Sequence, residues 1–251
     1  MFEMNMVFFA LAIPAVIFAA VSKAGFGSGA SFAATPILAL ILPPGPAIGV
    51  MLPLLMLMDM ASLKPYWKKW DATQAKMLIL GAVPGVALGA LLYKSTNPDV
   101  FRLLIGLIAV GFVIYQMVLK SGLLRLRSGG FSNPMGGVFG MVTGFTSFVS
   151  HAGGPPATIY LLASQPSKTT YQATTVIVFW AVNVMKFVPY AFLGIFTTQT
   201  LLADLVLAPF AVAGAWLGVK AHHLVPERAF FALTYVLLTL TGSKLIWDAL
   251  T

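Results

Sequence analysis

Two long stretches of this chain contain no Asp, Glu, Lys or Arg: residues 24–58 and residues 128–167. A bilayer core of ~30 Å is crossed by about 20 apolar helical residues, so each stretch holds more than one segment. Elsewhere the composition agrees, with 59% hydrophobic and 9% charged residues, against about 25% charged in a soluble domain. Runs such as LLIGLIAVGFVIYQMVL (103–119) are apolar all round, whereas the strands of an outer-membrane barrel alternate with period two. The expectation is an all-α integral membrane protein, a polytopic helical bundle in contact with the lipid bilayer. The first segment lacks a basic leader and a small-residue cleavage site and is read as a retained helix. A net charge of +8 is read as loop charge that sets membrane orientation, and no nucleic-acid partner is implied.

Hydropathy places segments at about 5–22, 31–42, 47–64, 75–93, 99–119, 134–149, 155–164, 173–196, 201–220 and 229–248. The second and seventh are too short to cross alone. Each follows a glycine-rich break, Gly25-Phe26-Gly27-Ser28-Gly29 and Gly153-Gly154-Pro155-Pro156, where helices stop. The expected count is ten helical segments with about eight full crossings.

The halves look like copies. A shift of 124 lays Gly29 on Gly153, Asp59 on Asn183, Ser62 on Lys186 and Pro65-Tyr66 on Pro189-Tyr190. Further on, Pro84 and Gly89 pair with Pro209 and Gly214, and Pro98-Asp99 with Pro226-Glu227. This divides the chain into a first transmembrane repeat (1–122), a basic linker (123–133) and a second repeat (134–251). Lys64, Lys68, Lys69 and Lys76 surround loop 65–74, and Lys120, Arg125 and Arg127 mark the joint at 120–133, while loop 197–200 carries no charge. The basic loops are expected in the cytoplasm and the uncharged one outside, although Lys94 and Arg102 oppose that placement. Corresponding loops then face opposite sides, which makes the repeats inverted, with a site at the discontinuous helices near the midplane.

A helix restarting inside the membrane offers unpaired N–H groups and a positive dipole end to an anion. The candidate cradle is Gly29, Ala30 and Ser31 at the first break, with Ser150, His151, Gly153, Gly154 and Pro155 at the second. Small residues there also let helices pack closely. Lys186 lies deep in the apolar segment VIVFWAVNVMKFVPY, with Asn183 one turn before it. A central lysine costs ~2.5–3.5 kcal/mol to insert, so it requires water, a partner or a ligand; the alternative is snorkelling to an interface. Asp59, with Ser62 one turn on, either pairs with Lys186 across the repeat axis, carries a coupling proton, or marks the boundary near the basic loop. His151 is a proton relay or a hydrogen-bonded structural residue. Lys23, before the first break, is a candidate for the substrate path, and Tyr190 for gating. His222 and His223 are read as a solvated loop. Three histidines, no cysteine and seven acids give no metal cluster, and no nucleophile elbow or Walker loop is present, so neither an enzyme nor a cofactor is expected.

At the breaks the sequence resembles the sulfite exporter TauE/SafE family of membrane permeases. The resemblance rests on Gly27-Ser28-Gly29-Ala30-Ser31-Phe32-Ala33-Ala34-Thr35-Pro36, SFVSHAGGPPATIYLL (147–162), Lys168 with Tyr171-Gln172-Ala173-Thr174, and NVMKFVPYAFLG (183–194). Ala30 and Ser31 replace glycines usual in the first signature. The resemblance implies a secondary transporter of sulfite or small organosulfonates, often exporting, with multi-pass placement in the cell (inner) membrane. Protons are the candidate coupling ion, through Asp59 or His151, and a homo-oligomer is left open. An anion channel and a non-transporting membrane scaffold are the rival readings.

Overall fold

The computed structural model describes residues 2–26, 30–123 and 129–251, with the backbone alone for 219–224 and 227. Among the described residues ten α-helices follow one another: α1 (Met6–Val21), α2 (Ala34–Ala39), α3 (Pro44–Leu63), α4 (Ala72–Ser95), α5 (Pro98–Lys120), α6 (Asn133–Ser150), α7 (Gly154–Ala163), α8 (Lys168–Phe192), α9 (Thr198–Leu224) and α10 (Glu227–Leu250). No strand occurs among the described residues. Starts are set by side chains that accept the third helical amide: Asn5 from Phe8, Asp71 from Gln74, Asn97 from Val100 and Ser167 from Thr170. Each such cap satisfies one of the four amides a helix leaves unpaired.

Among the described residues, seven helices are long and apolar enough to cross a membrane. The expected eighth, α6, has the length at 18 residues, but its Gly, Ser and Thr content lowers its hydropathy. Helices α2 and α7 hold 6 and 10 residues, about 9 and 15 Å at 1.5 Å per residue, well short of the bilayer core. Large apolar side chains, among them Leu80, Leu91, Leu107, Ile114 and Trp247, are exposed on the outer surface, where lipid tails replace water as solvent.

Helices pack through small residues. Without a hydrophobic drive between helices inside lipid, close van der Waals approach does the work. A Cβ on Gly85 would lie 2.0 Å from the Met141 carbonyl oxygen, and one on Gly144 would lie 2.3 Å from that of Ala82, so α4 and α6 touch backbone to backbone. In the same manner α9 lies on α1, α5 on α10, and α3 is wrapped by α8 and α9. Most of α3 from Pro44 to Leu55 is buried, which makes it a central helix.

Several sequence expectations shift. α1 does not stop at residue 22 but winds into a π-turn over Ser22–Phe26. The second segment begins as a 3₁₀ turn, Ser31–Ala33, before α2. His222 and His223 belong to the last turn of α9 and not to a loop; their side chains lie outside the described set. Gly27, Ser28, Gly29, Arg125 and Arg127 lie outside the described residues.

Candidate functional site

The C-terminal ends of α1, through its π-turn, and of α6 come together with α3 and the C-terminal third of α8, and there buried polar side chains gather. α6 closes with a left-handed residue, His151 at φ 58° and ψ 13°. Its amide donates to the Ser147 carbonyl at 2.9 Å and that of Ala152 to the Thr146 carbonyl at 3.2 Å. This paired closure is ordinarily completed by glycine, which carries no Cβ penalty. Histidine tolerates it here because its ring is fixed at both nitrogens. Gly153 follows, and a Cβ there would press within 3.0 Å of the Ser147 Cβ and the Thr143 carbonyl oxygen. The chain therefore folds tightly against α6 before α7 begins.

Lys186 is wholly buried, so it does not snorkel. Its ammonium donates to the Ser147 carbonyl at 3.1 Å and the Ser147 hydroxyl at 2.9 Å, and it lies 2.8 Å from His151 Nδ1. His151 Nε2 is 3.0 Å from the Ile48 carbonyl oxygen. A carbonyl only accepts, so Nε2 carries the ring proton, and Nδ1 accepts from lysine. All three ammonium protons are thus engaged. The lysine also lies at the C-terminal end of α6, where the helix dipole favours a cation. No carboxylate among the described residues pairs with it.

Asp59 does not meet Lys186. Its Oδ1 lies 2.6 Å from Lys23 Nζ, and its Oδ2 accepts from Asn183 Nδ2 at 2.7 Å. Lys23 comes from the π-turn that prolongs α1. Asn183 and Lys186 share one face of α8 a turn apart, so the two clusters are neighbours. Counting Lys23 and Asp59 as a neutral pair, Lys186 is the lysine of the buried centre that has no carboxylate partner among the described residues.

Tyr190 donates to the Phe148 carbonyl at 2.7 Å and sets its ring edge-on to Phe148 at 4.9 Å. It holds α8 against the end of α6 beside His151. Ser62 stands apart: it is half-buried and returns its hydroxyl to the Met58 carbonyl at 3.0 Å. Ser150 likewise bonds its own helix, to Thr146 at 3.3 Å. At the breaks, Ala30, Ser31, Gly153 and Gly154 are buried and Pro155 is half-buried; Gly29 lies outside the described residues. Pro155 and Pro156 have no N–H, so the start of α7 presents fewer amide donors than an ordinary helix end.

Two residues escape sequence reasoning. Ser147 supplies two of the three Lys186 contacts; the available signal is its spacing of 124 from Lys23, the same spacing that relates Asp59 to Asn183. Thr143, one turn earlier, buries a hydroxyl with no hydrogen-bond partner, while its carbonyl oxygen and methyl group pack against Gly153. Among the described residues no group of acids, histidines or cysteines suits a metal ion.

Compared with known families, the chain matches the one described as "Sulfite exporter TauE/SafE" over residues 12–245, a span that includes both helix breaks. No curated protein and no solved structure matches it.

Proposed function

Because the chain belongs to the sulfite exporter TauE/SafE family of membrane transporters, we propose that it carries a small sulfur oxyanion, sulfite or a small organosulfonate, outward across the cell (inner) membrane. The observation that carries this reading is the wholly buried Lys186 ammonium without a carboxylate partner. Burying a charge is expensive unless it is paired, and an anion would complete the pairing that the protein leaves to carbonyl, hydroxyl and imidazole. The buried Thr143 hydroxyl, one helical turn before Ser147 and without a hydrogen-bond partner, is a further donor for a substrate oxygen.

Alternating access between two inverted repeats, 1–122 and 134–251 joined by a cytoplasmic linker, is the proposed mechanism. It is supported by packing pairs that interchange under the repeat: α4 on α6 as α9 on α1, and α4 on α8 as α9 on α3. Repeat-equivalent Asp59 and Asn183 also touch each other, as residues beside a pseudo-two-fold axis must. In the state described, Lys186 is satisfied internally. Substrate oxygen therefore displaces His151 or Ser147, and release restores those bonds. This exchange of partners limits the desolvation cost of an empty site.

Counterflow of labelled sulfite into proteoliposomes tests the reading. Saturable exchange, competed by unlabelled sulfite and weakly or not at all by taurine, sulfoacetate or sulfate, is expected for a sulfite carrier; competition by an organosulfonate would move the substrate within the proposed class. Conductance without saturation or exchange would identify a channel instead.

A further inference from the structure

Asp204 lies on the buried stripe of α9 formed with Thr200, Ala203, Leu207 and Ala211, and is itself 7% exposed. Both of its carboxyl oxygens are buried without a hydrogen-bond partner. The nearest helical hydroxyl cannot serve it: Thr200 donates to the Thr197 carbonyl at 3.0 Å. The elements that pack most closely on α9 are α1, α3 and the π-turn. α1 contains no titratable residue, α3 only Asp59, and the π-turn only Lys23, and those two are paired with each other. Glu3, ahead of α1, is exposed. The central ion pair is also distant. Gly218 of α9 packs on Val21 and Ala24 beside Lys23, and Asp204 lies fourteen residues before Gly218, about 21 Å along the helix axis.

An ionised carboxylate enclosed without donors or a counter-charge is strongly disfavoured, whereas a protonated carboxyl carries no charge to bury. A metal cation is a poor occupant, since it requires several oxygen ligands and the stripe around Asp204 is apolar. We propose that Asp204 is a proton-binding site, separate from the anion centre, that must be protonated for this closed arrangement to form. α9 belongs to the second half of the chain, and α1 and α3 to the first. Separation of the halves on the side of loop 197–200 would hydrate Asp204 and let it ionise; protonation would let them close. The binding of a proton is thereby linked to the rocking that moves the anion, a linkage that rests on the transport reading, while the protonation of Asp204 does not.

Infrared difference spectroscopy of the full chain in lipid, between neutral and strongly alkaline pH, reads Asp204 directly. A carboxylic C=O band that shifts in deuterated water, vanishes in Asp204→Asn and returns displaced in Asp204→Glu is expected; a band unchanged by both substitutions overturns the proposal. In proteoliposomes with the membrane potential clamped, one proton moved per anion gives about tenfold accumulation per pH unit. Asp204→Asn should lose that response. A gradient response equal to the wild type overturns the linkage. A wild type that shows the band yet exchanges none of the tested anions would uphold Asp204 as a proton site and refute the transport reading.

Discussion

At the scale of single residues, the centre is built from one ion pair and one lysine without a carboxylate partner, and the two behave differently under mutation. Lys23 and Asp59 are 7% and 0% exposed, so removing one partner strands a buried charge at a cost of about 3–5 kcal/mol. Lys23→Met should therefore lower thermal stability in detergent markedly, and Lys23→Met combined with Asp59→Asn should recover much of the loss. A single variant as stable as the wild type would show that the pair is not held as described. Lys186 and Asn183 were legible in the sequence because a polar residue inside an apolar segment stands out on any hydropathy reading. The partner of Asp59 was not. Lys23 sits 36 positions away across a glycine-rich break, and nothing in the local pattern says that α1 continues as a π-turn that carries its ammonium to α3. Ser147 was hidden for another reason: a helical serine ordinarily bonds its own backbone, as Ser62 and Ser150 do here.

At the scale of elements, all ten segments were legible, since glycine and proline punctuate apolar runs clearly. The ends were not. α8 begins at Lys168, five residues before its apolar run, because Ser167 caps it and a polar first turn is compatible with a helix that emerges from lipid. α2 is shorter than its apolar stretch because the chain enters through a 3₁₀ turn and leaves toward Pro43 and Pro44. Two prolines at the start of α7 leave fewer amide donors there than an ordinary helix end has, while the α6 C-terminus, a negative dipole end, receives the lysine.

At the scale of the whole molecule, the proposed alternating-access mechanism requires the two halves of the chain to insert with opposite orientations. The loops give a direct reading of their relative orientation, because the chain contains no cysteine. Single cysteines at Lys69→Cys and Thr198→Cys, both exposed positions, should label with an impermeant maleimide from opposite sides of the membrane; labelling from the same side would contradict inverted repeats. The proposed hold of the Lys186 ammonium on the anion is tested by counterflow of labelled sulfite with Lys186→Met, in protein shown to insert and fold. Loss of one charge-assisted contact worth about 1.5–3 kcal/mol predicts exchange weakened roughly tenfold or more at subsaturating sulfite. Exchange at the wild-type rate and half-saturation would contradict the account.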